Sequence, residues 1–570
     1  MGFPLATSLV PVEMKLESML KHKIAGLVEQ AAVEAQQRGL LPQVGLPEIA
    51  VEHPQSAAHG DYACSFPLKL ARTARSNPLD IAESVAKLIV SIPEVKKVEV
   101  APPGFINFTL SSDWLAQQVE VILGVGGDYG NIDLGKGAKV QLEFVSVNPT
   151  GPLHVGHGRG AILGGTLANV LGAAGYSVEK EYYVNDAGTQ MDAFYRSLYT
   201  RYQQAFDLPA EIPADGYHGS YVIELSEEII GEKGDSLLGL PYEQAVAEIG
   251  KIGLTRQLDS IKADLDLLGV SFDVWFNERS LYDGGQYEKA MSLLRQGGHI
   301  TEKEGAVWFA SSEMGEDKDN VLERTSGEPT YFASDIAYHY NKFLERKFDR
   351  VINIWGADHQ GHVPRMKAVI KALGIDPGRL QVIITQMVTL KRGDVEVRVS
   401  KRSGDIITLR DLVEEVGADA CRFFFLSRSV DSQMDFDLEL AKRQSADNPV
   451  YYVQYAHARI ASILRLAQER GIDYSQGDVA LLVTEPELAL IRRMLQLPEV
   501  IEIVADSLET HHLPYYAQDL ATVFHGFYKQ CRVISSDEAL TAARLKLVEA
   551  ARIVFARTLH LMGMSAPEKM

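Results

Sequence analysis

The feature that most restricts this chain is a strand, a helix and a second strand following one another within roughly 45 residues. VQLEFVSVNPT (140–150) is an apolar, β-branched run. After Gly151 and Pro152 comes HVGHGRGAILGGTLANVLGAAGY (154–176), a helix with small residues at its start and Gly175 as its cap. SVEKEYYVND (177–186) is again a strand. Two strands joined through a helix lie parallel, so the centre of the chain folds as an α/β unit with a parallel sheet. The pattern recurs in VINIWGAD (351–358), a helix around Pro364 to Leu373, and LQVIITQMVTL (380–390), which reads as a further strand. Between the two groups, 195–325 is charged and helix-rich and reads as an insertion.

The flanks differ from this centre. Met14 to Arg38 carries apolar residues at helical spacing (Leu16, Leu20, Ile24, Leu27, Ala31), with Gly39 as a cap. VKKVEVAPPGFINFTL (95–110) predicts two strands around a Pro-Pro-Gly turn, and GVGGDYGNIDLGKG (124–137) is a glycine-rich boundary. From about 410 onward the reading is helical throughout: 448–470, 488–508 and 545–563 all carry helical apolar spacing. The expected organisation is an α/β, Rossmann-type parallel-sheet catalytic domain over 126–410, an α+β domain over 1–125 and an all-α helix bundle over 411–570. A length of 570 residues fits three or four domains.

Composition excludes several classes. With 46% apolar and 23% charged residues the chain is neither disordered nor fibrous, and no window approaches a membrane span. The N-terminus lacks a basic region before an apolar core, so no secretory signal is expected. Cys64, Cys421 and Cys531 fit no zinc or redox spacing and imply a reducing compartment. A formal charge of −20 argues against a non-specific nucleic-acid coat but not against one basic face.

Three constellations carry chemistry. His154-Val155-Gly156-His157 opens a helix directly after a strand, where unpaired N–H groups and the helix dipole attract phosphate. Gly156 leaves room for a flat base against the backbone. Arg398-Val399-Ser400-Lys401-Arg402 lies between Gly393 and Gly404, so it reads as a cationic loop; alone it fits a solvated basic loop better than a catalytic one. Glu143 stands on the strand before the histidines, five positions ahead of Asn148, and Asp335 lies one helical turn after Tyr331.

Together these residues resemble the class I aminoacyl-tRNA synthetases, through HxGH and KMSKS elements, and the finer resemblance is to the arginyl-tRNA synthetase family. It rests on 143–157, EYYVNDAGTQM (181–191), Tyr331 to Asp335, Gly356-Ala357-Asp358-His359-Gln360-Gly361-His362, 448–460 and APEKM (566–570). His59-Gly60-Asp61-Tyr62-Ala63 and PGFINFTL (103–110) extend it through the N-terminal part. The KMSKS element departs from the pattern: here it is RVSKR, with Arg398 in place of its first lysine.

The resemblance implies ATP-dependent activation of L-arginine, with Mg²⁺ accompanying ATP, no tightly bound cofactor and no metal held by the protein, then transfer to the 3′ end of the tRNA for arginine. It implies that His154, His157 and Lys401, with Arg398, stabilise the phosphate charge, and that Gly156, Asp358 and Ser400 contact ATP. Glu143, Asn148, His154, Tyr331, Asp335 and His359 are implied for arginine. Arg459, Tyr451 and Tyr455 are implied for tRNA, although the two tyrosines, four apart, equally fit a packed helix face. The partners expected are tRNA, ATP and arginine, with no DNA and no membrane, acting as a cytoplasmic monomer. Two readings compete. Another class I synthetase has no need of paired carboxylates, and a non-catalytic tRNA-binding paralogue has no need of His154, His157 and Lys401.

Overall fold

The computed structural model describes residues 19–186, 188–393, 395–397 and 407–570. Its centre is a five-stranded parallel sheet in the order Leu380–Thr385, Arg350–Gly356, Lys139–Glu143, Ser177–Val184, Val274–Asn277. The strand Lys139–Glu143 pairs on one side with the next strand in sequence and on the other with one some 200 residues later. That reversal is the topological switch point of an open α/β sheet, where a crevice forms beyond the carboxyl ends of the strands.

The crossover helix Val155–Ala173 is apolar on nearly every side and almost wholly buried. It fits because Gly164 faces Phe144: a Cβ there would stand 2.2 Å from the Phe144 ring. Gly175 ends the helix at φ +83°, where a Cβ would meet the Ile132 carbonyl at 2.9 Å.

The chain between 195 and 325 is not one helical insertion. Helices Thr189–Gln204, Ser220–Lys233 and Tyr242–Leu267 share a core of Phe194, Leu198, Tyr202, Val222, Ile229 and Ile249. The chain then returns to the main sheet as its edge strand Val274–Asn277, and an antiparallel sheet of Ile300–Lys303, Ala306–Phe309 and Asn320–Glu323 follows. The edge strand has only four residues, three of them half-buried, too few to show an alternation.

Two further expectations need correction. The run 380–390 is two strands, broken at Gln386 and Met387. Its second part, Val388–Arg392, belongs to a separate sheet with Val395–Glu396 and Met434–Asp437. The strand Met434–Asp437 also lies where the sequence predicts helices alone; its Met-Asp-Phe-Asp alternation spans only four residues, too short to stand out from helical neighbours until it pairs.

In the N-terminal part, helix Leu20–Gln37 covers an antiparallel sheet ordered Val51–Glu52, Tyr62–Cys64, Phe105–Leu110, Val95–Ala101. This module docks on the C-terminal helices through polar contacts. Arg492 Nε lies 2.7 Å from Asp61, and the Tyr62 hydroxyl donates to Glu499 at 2.7 Å. His53 Nε2 meets the other Glu499 oxygen at 3.0 Å, and Lys21 and His22 both reach Glu502. The helices Pro449–Glu469, Glu485–Met494, Leu497–Ser507, His512–Gln530 and Glu538–Leu561 form the bundle, and Ser112–Val125 packs against two of them.

Arg422 joins bundle to catalytic body. Fully enclosed, its guanidinium donates to the carbonyls of Leu268 (2.7 Å), Gly269 (3.0 Å) and Met562 (2.8 Å). Among the described residues no helix is long and apolar enough to cross a membrane.

Candidate active site

Glu143 ends the central strand, and the chain must then turn sharply to reach the crossover helix. It does so with Val145 at φ +68° and Ser146 at φ +42°. A β-branched residue in the left-handed region is strained, by about 1–3 kcal/mol. Neighbours hold it there. The Tyr183 N–H donates to Ser146 Oγ at 3.1 Å, the Tyr182 hydroxyl to the Val147 carbonyl at 2.9 Å, and the Tyr221 hydroxyl to the Thr150 carbonyl at 2.7 Å. Asn148 donates to Gln190.

His154 caps the helix. Its Nδ1 accepts the Gly156 N–H at 3.1 Å, while His157 Nδ1 accepts the His154 N–H at 3.2 Å, a reciprocal capping box. The rings stack at 3.5 Å and 26°. Because both Nδ1 atoms accept, the ring proton of each neutral imidazole sits on Nε2. Burial holds His154 below the ordinary histidine range, and burial together with the neighbouring ring takes His157 down to about 3. Two neutral Nε2–H donors at the positive end of a helix suit a phosphate group. A Cβ at Gly156 would press on the His154 ring at 3.0 Å.

Helix Tyr331–Tyr340 forms the other wall. Tyr331 starts it, exposed, with its hydroxyl beside Gly188. One turn on, the Asp335 carboxylate meets His362 Nε2 at 2.9 Å. A second carboxylate, Glu278, directly follows the edge strand and is buried. Burial raises its pKa, the Ser334 hydroxyl opposes that, and the charge of Asp335 adds to it. Glu143 meets a cation, Lys342 Nζ, at 2.6 Å. Asp358 and His359 are exposed on the 3₁₀ turn Ala357–His362, their side chains 3.4 Å apart. Sequence reasoning missed Glu278, His362 and Lys342. Only His362 stood in a quoted motif, and nothing local marks the other two.

Arg398, Ser400 and Lys401 lie outside the described residues. Both flanks of their segment are described. The Val397 N–H donates to the Leu390 carbonyl at 2.9 Å, and the Leu409 N–H donates to the Leu153 carbonyl at 2.7 Å, with Thr408 bridged to His154. Arg159, buried in the histidine-bearing helix, donates to the carbonyls of Gln386, Ser429 and Ser432 at 2.8–3.0 Å. The helix and the base of this segment therefore form one framework.

On the bundle, the rings of Tyr451 and Tyr455 stack at 5.8 Å and 12°. The Arg459 guanidinium lies over the rings of Tyr455 (4.8 Å) and Tyr528 (4.7 Å). Tyr451, Tyr455 and Arg459 are half-buried and Tyr528 is exposed, so the helix Pro449–Glu469 shows an aromatic and cationic surface beside its packed one.

A parallel sheet whose switch-point helix opens with HVGH is the catalytic fold of a class I aminoacyl-tRNA synthetase, and residues 118–424 match the profile described as tRNA synthetases class I (R), catalytic domain. Residues 15–110 match the arginyl tRNA synthetase N terminal domain, and 453–570 the DALR anticodon binding domain. The chain is 59% identical over 551 residues to the arginine–tRNA ligase of Dehalococcoides mccartyi, covering 97% of this chain and 99% of that one. It is 49% identical to the arginine–tRNA ligase of Carboxydothermus hydrogenoformans, over 96% and 98% of the two chains. The chain belongs to the arginyl-tRNA synthetase family. The structure of Thermus thermophilus arginyl-tRNA synthetase shares its fold, with a TM-score of 0.74 at 23% identity over 97% of this chain and all of the other.

Proposed function

We propose that the chain activates L-arginine with ATP, forming arginyl-adenylate and pyrophosphate, and transfers the arginyl group to the terminal ribose of its tRNA with release of AMP. The observation that carries this reading is the presence, within a full-length match to arginine–tRNA ligases, of a capped HVGH helix and of two carboxylates, Glu278 and Asp335, close enough to affect each other's charge. A planar cation with five donors needs charged acceptors, because a buried charge left unpaired costs several kcal/mol.

In the first step the arginine carboxylate attacks the α-phosphorus and pyrophosphate leaves. No protein nucleophile is required; positioning and charge stabilisation do the work. His154 and His157 donate through Nε2 to the phosphates. Lys401, assisted by Arg398, follows the charge onto pyrophosphate, and Ser400 adds a polar contact to ATP. The adenine lies near Gly156, with Asp358 beside the nucleotide. Glu278 and Asp335 take the guanidinium, and Tyr331, Asn148 and His359 fix the rest of the amino acid, with Glu143 at the floor. Mg²⁺ arrives with ATP as part of the substrate.

The domains are assigned as 1–125 for the tRNA-contacting module, 126–410 for catalysis and 411–570 for the anticodon, where Tyr451 and Tyr455 stack on bases and Arg459 meets phosphate. We assign a monomer working in the cytoplasm, with no DNA or membrane partner. The deciding experiment is ATP–pyrophosphate exchange across the amino acids, with and without total tRNA, followed by aminoacylation. Arginine alone should support both. Activation of another amino acid would indicate a different class I enzyme, and tRNA binding without exchange a non-catalytic paralogue.

A further inference from the structure

Beneath the amino-acid pocket the sheet carries a row of polar side chains. Asn353, Glu143 and Glu181 stand in register on three adjacent strands, and all are buried. Above them lies Lys342, with a side-chain exposure of 0%, in a π-helical turn, Asn341–Glu345, that continues the Asp335 helix. Single π turns occur often at functional sites. Lys342 Nζ donates to Glu143 at 2.6 Å and to Asn353 Oδ1 at 3.1 Å, and rests 4.0 Å from the Tyr338 ring centre. Tyr338 in turn donates its hydroxyl to Glu181.

The row also connects to the pocket. Asn353 Oδ1 faces the ammonium, so its Nδ2 is a donor, 3.0 Å from His339 Nε2. That nitrogen therefore accepts, and the proton on His339 Nδ1 is donated to the Asp335 carbonyl at 2.8 Å. One unbroken chain of hydrogen bonds thus runs Glu143–Lys342–Asn353–His339–Asp335. It ties the strand end before the histidines to the helix turn that bears the proposed guanidinium partner. Burying this ion pair is costly, and two apolar residues of similar volume in its place would pack the same space at less cost.

We propose that Lys342 is a positioning residue for arginine: it holds the Glu143 carboxylate in one orientation and, through Asn353 and His339, fixes the turn that aims Asp335. This rests on the reading above that Glu143 and Asp335 serve the arginine site.

The test is exchange kinetics, with tRNA present, for Lys342→Met, Glu143→Gln, the double variant and Asn353→Leu. Lys342→Met should raise KM for arginine about tenfold or more, while KM for ATP stays within about twofold, the split expected when amino-acid binding alone is disturbed. Residues acting as one unit are non-additive, so the double variant should be no worse than about twice the poorer single. Asn353→Leu interrupts the relay without unpairing Glu143, and should raise KM for arginine by itself; it decides the matter if Lys342→Met does not fold. An unchanged arginine KM in folded Lys342→Met or Asn353→Leu, or effects of Lys342→Met and Glu143→Gln that multiply, would overturn the proposal. Asp335→Asn is measured alongside: if it alone weakens arginine, the pocket stands and only Lys342 loses its role, whereas wild-type values there remove the pocket assignment itself.

Discussion

Asp335 and His157 show how one side chain sets what the site can bind. Asp335→Asn keeps the volume and loses the charge opposite a desolvated guanidinium. It should raise KM for arginine by two orders of magnitude or more while leaving KM for ATP nearly unchanged, and the native enzyme should reject citrulline by about 10⁴. Wild-type arginine kinetics in Asp335→Asn, or ready activation of citrulline, would remove the carboxylate pocket. His157 is neutral in the fold, its pKa taken to about 3, below the ordinary value. The fold favours the uncharged ring, so this contribution to stability is complete above pH ~6.5 and fades as pH falls from there toward 3. In single-turnover pyrophosphate release, His157→Ala should slow activation roughly 100-fold with circular dichroism unchanged; an unaltered rate sinks the donor role. HVGH was legible because its chemistry is contiguous in the chain. Glu278 was not: it is one acidic residue among 76, and its burial beside Asp335 is created only when the edge strand docks.

Elements were legible in proportion to their length. The 19-residue crossover helix and the central strands declare themselves through long apolar runs, whereas Val274–Asn277 and Met434–Asp437 have four residues each and owe their shape to neighbours. The crossover helix also yields a paired prediction. At Gly164 a Cβ would lie 2.2 Å from the Phe144 ring, while at Gly160 it would meet nothing within 4 Å. Alanine is favoured over glycine in a helix by up to ~1 kcal/mol. Gly160→Ala should therefore hold or raise the melting temperature. Gly164→Ala should lower it, because displacing a buried ring costs about 1–3 kcal/mol. It should also slow activation, since Phe144 adjoins Glu143. Equal melting temperatures for the two would show that the ring yields freely.

Across the whole molecule, the N-terminal module is held by charges, so its attachment should depend on pH. Burial alone would lower the pKa of His53, but its hydrogen bond and charge contact with Glu499 prevail and raise it. The docking contribution is therefore complete below the ordinary histidine value of ~6.5 and is lost as pH rises through the higher folded value. Measured against the base-catalysed intrinsic rate, the protection of amides over residues 51–64 should fall between neutral and mildly alkaline pH, and His53→Gln should flatten that dependence. A slope surviving in His53→Gln would place the titrating group elsewhere. The hydrogen bond from Leu409 to Leu153 has a different consequence. It fastens the residue just before the imidazoles to the start of a helix about 250 positions further along the chain, so a push on either one is a push on both.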